Sequence, residues 1–221
     1  MPKKYGVKEK DLVVSHLVNL ILSGKMRSGD RIDRNLIVKD LGLSRVPIQE
    51  AMVQLEHDGI VSTRYHRGAF IERFDEASIL EHHEIYGLLN GIASERAAAD
   101  LHSEIVERLE SLLATMKASS DAQTFQDAGW DYRQTIYESY AGPRLLALIH
   151  ASQSFVPREF WTAYLDAHTQ MLTLYEEETD AIRRHDPAAA RAVNHRRAVL
   201  LGRLMRDELV RRGVLDTLNS E

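Results

Sequence analysis

The chain has 221 residues, 44% of them apolar, no cysteine, and a formal net charge of −5. That length and apolar share suit one or two domains with a buried core and exclude a disordered chain, while the missing cysteines exclude a disulfide framework, a cysteine zinc site and a thiol redox centre. No run of about 18 apolar residues and no leader pattern follows Met-Pro-Lys-Lys, so the expectation is a soluble, cytoplasmic protein with no membrane partner.

In chain order, residues 1 to 9 are polar, and from Asp11 to Ser23 the residues Leu12, His16, Leu17, Leu20 and Ile21 share a helical face that Gly24 terminates. Asp33 is placed to cap a second helix, in which Leu36, Ile37 and Leu41 fall together. After the turn Gly42-Leu43, Ser44 reads as the N-cap of a third helix. Pro47 lies in that helix's first turn, where a missing N–H forfeits no hydrogen bond. Ile48, Ala51, Met52 and Leu55 make one buried stripe, which leaves Arg45, Val46 and Gln49 off it. Asp58-Gly59 ends the helix. Two β-prone runs follow, Ile60 to Arg64 and Ala69 to Ile71, joined by the turn residues Tyr65-His66-Arg67-Gly68. A helix-turn-helix followed at once by a hairpin is a winged helix, and residues 1 to 75 are assigned to it.

Beyond residue 75 the strand signals stop. Helical patterns run from Glu76 to Asp100, from a capping Ser103 through Met116, from about Phe125 to Tyr140, from Gly142-Pro143 to about Phe155 and from Glu159 to His185. A last helix opens at Asp186-Pro187 and ends at Arg212-Gly213. The fold class is therefore mainly α, with an N-terminal winged helix and, over 76 to 221, an all-α bundle of six or seven helices. Charge divides the same way: residues 1 to 75 carry 13 Lys/Arg and 10 Asp/Glu, whereas residues 76 to 221 carry 15 and 23. A front domain that faces phosphates and a back domain with another task would show this asymmetry.

The run from Gly29 to Val61, with its core Ser44-Arg45-Val46-Pro47-Ile48-Gln49-Glu50-Ala51 and the wing Arg67-Gly68-Ala69, resembles the DNA-binding domain of the GntR family of bacterial transcription regulators. The resemblance covers residues 10 to 75. The back domain resembles the ligand-sensing FCD domain of the FadR subgroup over most of residues 78 to 212. The segments that carry it are Ile85-Tyr86 through Ile92 to Ala98, Tyr132 to Leu146 and Asp180 to Arg191. The resemblance implies a homodimer on palindromic double-stranded operator DNA, more often a repressor than an activator, with ligand sensing and dimerisation in the helical domain.

On this reading Arg45 is the leading base contact, able to donate two bonds to guanine O6 and N7. Gln49 stands where the family usually has a second arginine, and by geometry suits adenine. Arg34, Asn35, Ser44 and Val46 complete the recognition surface, and Arg64, Arg67 and Gly68 form the wing. FCD domains commonly hold a divalent metal through one Asp and three His, and the matching positions here are Gly129, Arg133, Tyr175 and Arg197. This set implies no metal and no cofactor. His195, two residues from the fourth position, points about 200° away on a helix and does not restore it.

Trp130, Arg133 and Tyr137 share a stripe, as do His168, Met171, Tyr175 and Ile182, and Arg197 faces inward with Val193, Leu200 and Leu204. Two guanidiniums and a phenol suit a small organic anion as effector, with Trp130 and Tyr137 beside them. The competing possibility is that the arginines pair with an internal acid such as Glu138 or Glu178. Glu81-His82-His83-Glu84 reads as an exposed helix start rather than a metal site. No catalytic residue is identified, because there is no phosphate loop, no nucleophile elbow and no catalytic histidine motif. A DNA-associated structural protein without an effector, and an enzyme built on the helical domain, are the two other classes that the residues leave open.

Overall fold

Helix α1, Glu9–Leu22, buries Val13, Leu17, Val18 and Ile21 along one face; like everything below, it is described from a computed structural model, which covers residues 8–156 and 168–215. Helix α2, Arg34–Leu41, begins where the Asp33 carboxylate accepts the backbone N–H groups of Asn35 and Leu36, and it ends at Gly42 with φ 65°. These bonds satisfy donors that a helix start leaves unpaired. Helix α3, Arg45–His57, buries Pro47, Ile48, Ala51, Met52 and Leu55, and Lys10 on α1 donates to Gln54 Oε1 at 2.9 Å. Ser44 does hold the N-cap position, but its hydroxyl makes no capping bond, which corrects the expected role of that side chain.

Strands β1, Val61–Arg64, and β2, Gly68–Ile71, pair antiparallel with Val61 opposite Ile71 and Arg64 opposite Gly68. Glu56 accepts from both the backbone N–H and the hydroxyl of Thr63, which ties the end of α3 to the first strand of the wing.

Six further helices follow among the described residues: α4 Glu76–Ala99, α5 Ser103–Ala118, α6 Ala122–Tyr140, α7 Pro143–Ser154, α8 His168–Arg183 and α9 Pro187–Arg211. Asp121 caps α6 by accepting the Thr124 N–H at 2.8 Å, and Asp186 does the same for Ala189 at 3.0 Å at the start of α9. Ser103 is not a cap: it is the first residue of α5, and His102 before it makes no side-chain capping bond. The helix expected from Glu159 is described from His168 onward; residues 157–167 lie outside the described residues. No described helix is long and apolar enough to cross a membrane.

The described residues form two compact units. One lies within Met1–Ile79, Gln153–Pro157 and Arg206–Glu221, the other within Leu80–Ser152 and Arg158–Met205. In the second unit the core joins Ala93 and Ala97 of α4, Leu109 and Met116 of α5, Tyr132, Ile136 and Tyr137 of α6 and Ile182 of α8.

Candidate functional site

The first turn of α3 presents Arg45, Val46 and Gln49 to solvent, because the helix spends its opposite face on the core. Val46 is 65% exposed. Arg45 has no ion pair among the described residues. Ser44 and Asn35 are exposed beside it, and Arg34 is half-buried and donates from Nη1 to Gln49 Oε1 at 2.8 Å. All six candidates of the helix-turn-helix thus sit around one surface.

In the wing, Arg64 and Arg67 are exposed, with the Arg64 guanidinium 4.6 Å above the Phe70 ring. Gly68 has φ 104°, and a Cβ there would lie 3.1 Å from Nε of Arg31. Arg31 is a residue that the sequence reading left out of the site. Its backbone bridges Phe70, so the wing carries a third guanidinium beside the glycine. Gly42 also has positive φ, 65°, but open space around it. Gly68→Ala should therefore cost about 1–3 kcal/mol and more than Gly42→Ala, since strain is joined by crowding. Urea denaturation of both variants checks the order; equal losses would assign the whole effect to backbone conformation.

In the helical unit the four positions Gly129, Arg133, Tyr175 and Arg197 converge. The Tyr175 hydroxyl donates to the Gly129 carbonyl at 3.5 Å, and the guanidiniums of Arg133 and Arg197 lie 5.8 and 5.2 Å from the Tyr175 ring centre. An acid stands between the two arginines. Glu178 Oε2 accepts from Arg133 Nη2 and from Arg197 Nη1, each at 2.6 Å, and Oε1 accepts from Ser94 Oγ at 2.5 Å and Asn194 Nδ2 at 2.8 Å. Every acceptor site of the carboxylate is filled. Asn194 Oδ1 accepts in turn from both arginines, so the side chains form a closed network.

Tyr132, buried next to Arg133, donates to Thr179 Oγ1 at 2.8 Å, since the threonine's own proton goes to the Tyr175 carbonyl. Of the two internal acids weighed from sequence, Glu138 is exposed and Glu178 is 0% exposed. Burial pushes the Glu178 carboxyl up, but the charges of Arg133 and then Arg197 outweigh it and hold the group down at about 2.

Two guanidiniums and one carboxylate leave this buried network with a net charge of +1. Nε of Arg133 is buried and has no hydrogen-bond partner among the described residues. Tyr137 is buried and engaged, its hydroxyl donating to Asn90 Oδ1 with that of Tyr86 3.3 Å away, and Trp130 is half-buried on the same helix. A divalent metal does not fit these residues. Glycine offers no side-chain ligand, two of the four positions are cations, and no group of three or more His, Cys, Asp or Glu among the described residues could hold one. Chelation with EDTA should leave the melting temperature unchanged, and a fall of several degrees in calorimetry would reveal a structural metal.

The Glu81-His82-His83-Glu84 segment is not an exposed helix start. His83 is 2% exposed and packs against Gly202, while burial, aided by the charge of His83, pulls His82 down to about 3. An open groove of about 510 Å³ lies elsewhere, lined by Gln170, Thr173, His195, Arg196 and Arg203, and none of the five effector candidates borders it.

Residues 10–71 match the model of the bacterial regulatory proteins of the gntR family, and residues 81–198 match the FCD domain. An uncharacterized HTH-type transcriptional regulator of Mycobacterium tuberculosis is 59% identical over 215 residues, spanning 97% of this chain and 88% of the relative. A probable D-xylose utilization operon transcriptional repressor of Paenarthrobacter nicotinovorans is 26% identical over 59% of this chain and 58% of its own length. Among solved structures, E. coli McbR/YncC superposes with a TM-score of 0.59 at 17% identity, over 94% of this chain and 98% of that one, a likeness of fold.

Proposed function

This chain belongs to the GntR family of bacterial transcription regulators and carries its FCD domain, and from that premise we propose that it is a repressor, a homodimer on a palindromic operator, released by a small organic anion. The division of labour places DNA reading in residues 1–75 and ligand sensing and dimerisation in residues 76–221. The winged helix supplies DNA contact through Arg45, Val46 and Gln49 in the major groove, with Arg34, Asn35 and Ser44 beside them and Arg64, Arg67 and Gly68 along the backbone or an adjoining groove.

One observation carries the effector part: among the described residues, a buried network of two arginines and one glutamate is one negative charge short, and Nε of Arg133 is a buried donor without an acceptor. Leaving a charge and a donor so placed is costly, and an anion that accepts from Nε removes both deficits. Tyr175, Trp130 and Tyr137 would wall its apolar part. Differential affinity for the anion in the free and DNA-bound states would then set operator occupancy.

The test is selection of fragments from the source genome by purified full-length protein at near-physiological salt, followed by release assays with carboxylates made or used by the products of neighbouring genes. Enrichment of one or a few inverted repeats supports the regulator reading. Release by a carboxylate that Arg133→Met no longer senses supports the effector site; release that persists unchanged in Arg133→Met and Arg197→Met would overturn it.

A further inference from the structure

The recognition surface contains a hydrogen bond that fixes what one of its residues can read. Arg34, first residue of α2, donates from Nη1 to Oε1 of Gln49 in the exposed first turns of α3, at 2.8 Å. A guanidinium has five donors and no acceptor, so the amide can meet it only through its oxygen. The Nε2 hydrogens of Gln49 are thereby the end that faces away from Arg34. Arg34 has no ion pair among the described residues; the nearby Asp33 carboxylate is turned to the backbone of α2, where it accepts from Asn35 and Leu36.

Adenine is read by a free glutamine that uses both ends of its amide, Nε2 donating to N7 and Oε1 accepting from N6–H. Here one of the two lone pairs of Oε1 is already taken by a cation, and a donor that approaches the other comes up against the remaining N–H groups and the positive charge of that cation. The amino group of adenine would approach donors. Guanine offers acceptors at both N7 and O6, and meets the Nε2 hydrogens of Gln49 and the guanidinium of Arg34 as donors. The charge of Arg34 adds to the match, because an acceptor edge is favoured next to a cation and a donor edge is not.

We propose that Arg34 is a positioning residue that turns Gln49 into a donor and thereby makes the pair select guanine over adenine at the base step Gln49 reads. The proposal replaces the adenine preference expected for Gln49 alone, and it rests on the operator-binding reading above.

The experiment is selection from a randomised DNA library with the full-length wild type and with Gln49→Ala, Arg34→Ala, Arg34→Lys and Gln49→Glu. Gln49→Ala identifies the step, as the one base pair in each half-site whose preference disappears. At that step the wild type should favour guanine, Arg34→Ala should shift the guanine-to-adenine ratio by about tenfold or more toward adenine, and Arg34→Lys, which keeps a cationic donor, should retain guanine. Gln49→Glu keeps the bond to Arg34 but presents only acceptors, and should move the preference to cytosine, whose N4 amino group donates. It serves as a second measure if Arg34→Ala does not fold, which circular dichroism will show.

Adenine already favoured by the wild type, an Arg34→Ala profile unchanged at this step, or a preference lost at a different step would overturn the proposal while leaving operator binding intact. A folded wild type that enriches no sequence at any salt would instead overturn the operator-binding reading, and this proposal with it.

Discussion

Glu178→Gln should lower the unfolding free energy by about 3–5 kcal/mol, more than either Arg133→Met or Arg197→Met. Glu178 is the only acid bonded to two buried guanidiniums among the described residues, and its loss leaves both without a counter-charge in a medium that solvates them poorly. Removing one arginine has a different consequence. It leaves a balanced pair of one cation and one carboxylate, and the loss is reduced to bonds and packing. Denaturation with urea of the three variants tests this order; an arginine variant as unstable as Glu178→Gln would refute the charge argument.

The pH profile gives an independent measure. Because the folded protein holds this carboxyl at about 2 against an ordinary value of 4.5, its contribution is complete above pH 4.5 and is lost as the pH falls toward 2. The Gln variant should lack that acid-sensitive part.

Arg45→Ala should remove much of the discrimination between operator and unrelated DNA. A bidentate arginine–guanine pair is worth about 1–3 kcal/mol of discrimination, and the proposed homodimer would make the contact twice. The loss of specific affinity is then about 2–6 kcal/mol, or roughly 30-fold to more than 10⁴-fold. Arg67→Ala offers the contrast, because a wing arginine on a phosphate should weaken binding to all sequences alike and reduce the salt slope by about 1 per protomer, or about 2 for the dimer. Titrations of operator and scrambled duplex at several salt concentrations separate the two. Unchanged operator preference in folded Arg45→Ala would remove Arg45 as the leading base contact.

The winged helix was legible because local chemistry decides it. Asp33 caps, Gly42 turns, Pro47 fits a first turn and the 3.6-residue stripe of α3 buries Ile48, Met52 and Leu55, each readable without knowledge of the rest of the chain. The convergence of Gly129, Arg133, Tyr175 and Arg197 came through family resemblance, since they lie on three different helices and no periodicity connects them.

What the sequence obscured was which polar groups complete the centre. The sequence leaves Glu178 and Glu138 both open as the internal acid paired with the arginines, because Glu178 follows Glu176 and Glu177 and three consecutive acids look like a solvated face. Its spacing nevertheless held the signal, because Met171, Tyr175, Glu178 and Ile182 recur at four, three and four, which puts the acid on the buried stripe. Ser94 and Asn194 gave less warning. They are small polar residues on alanine-rich helices, and only a buried charge in need of donors gives them a task. The misreading of His83 has a related cause: flanking glutamates suggested an exposed turn, although only Glu81 and Glu84 face solvent there.

The carboxylate of Glu178 bonds to Ser94 on α4, Arg133 on α6 and Asn194 and Arg197 on α9, while itself belonging to α8. Four helices are thus fastened at a single pair of oxygen atoms. Helix α8 cannot lift away without breaking its bonds to the other three at once, and the loss of any one of those three leaves the buried carboxylate short of a donor, which couples their openings. In amide hydrogen exchange the slowest protons of these helix segments should form one cooperative group with a common opening free energy, rather than fraying helix by helix.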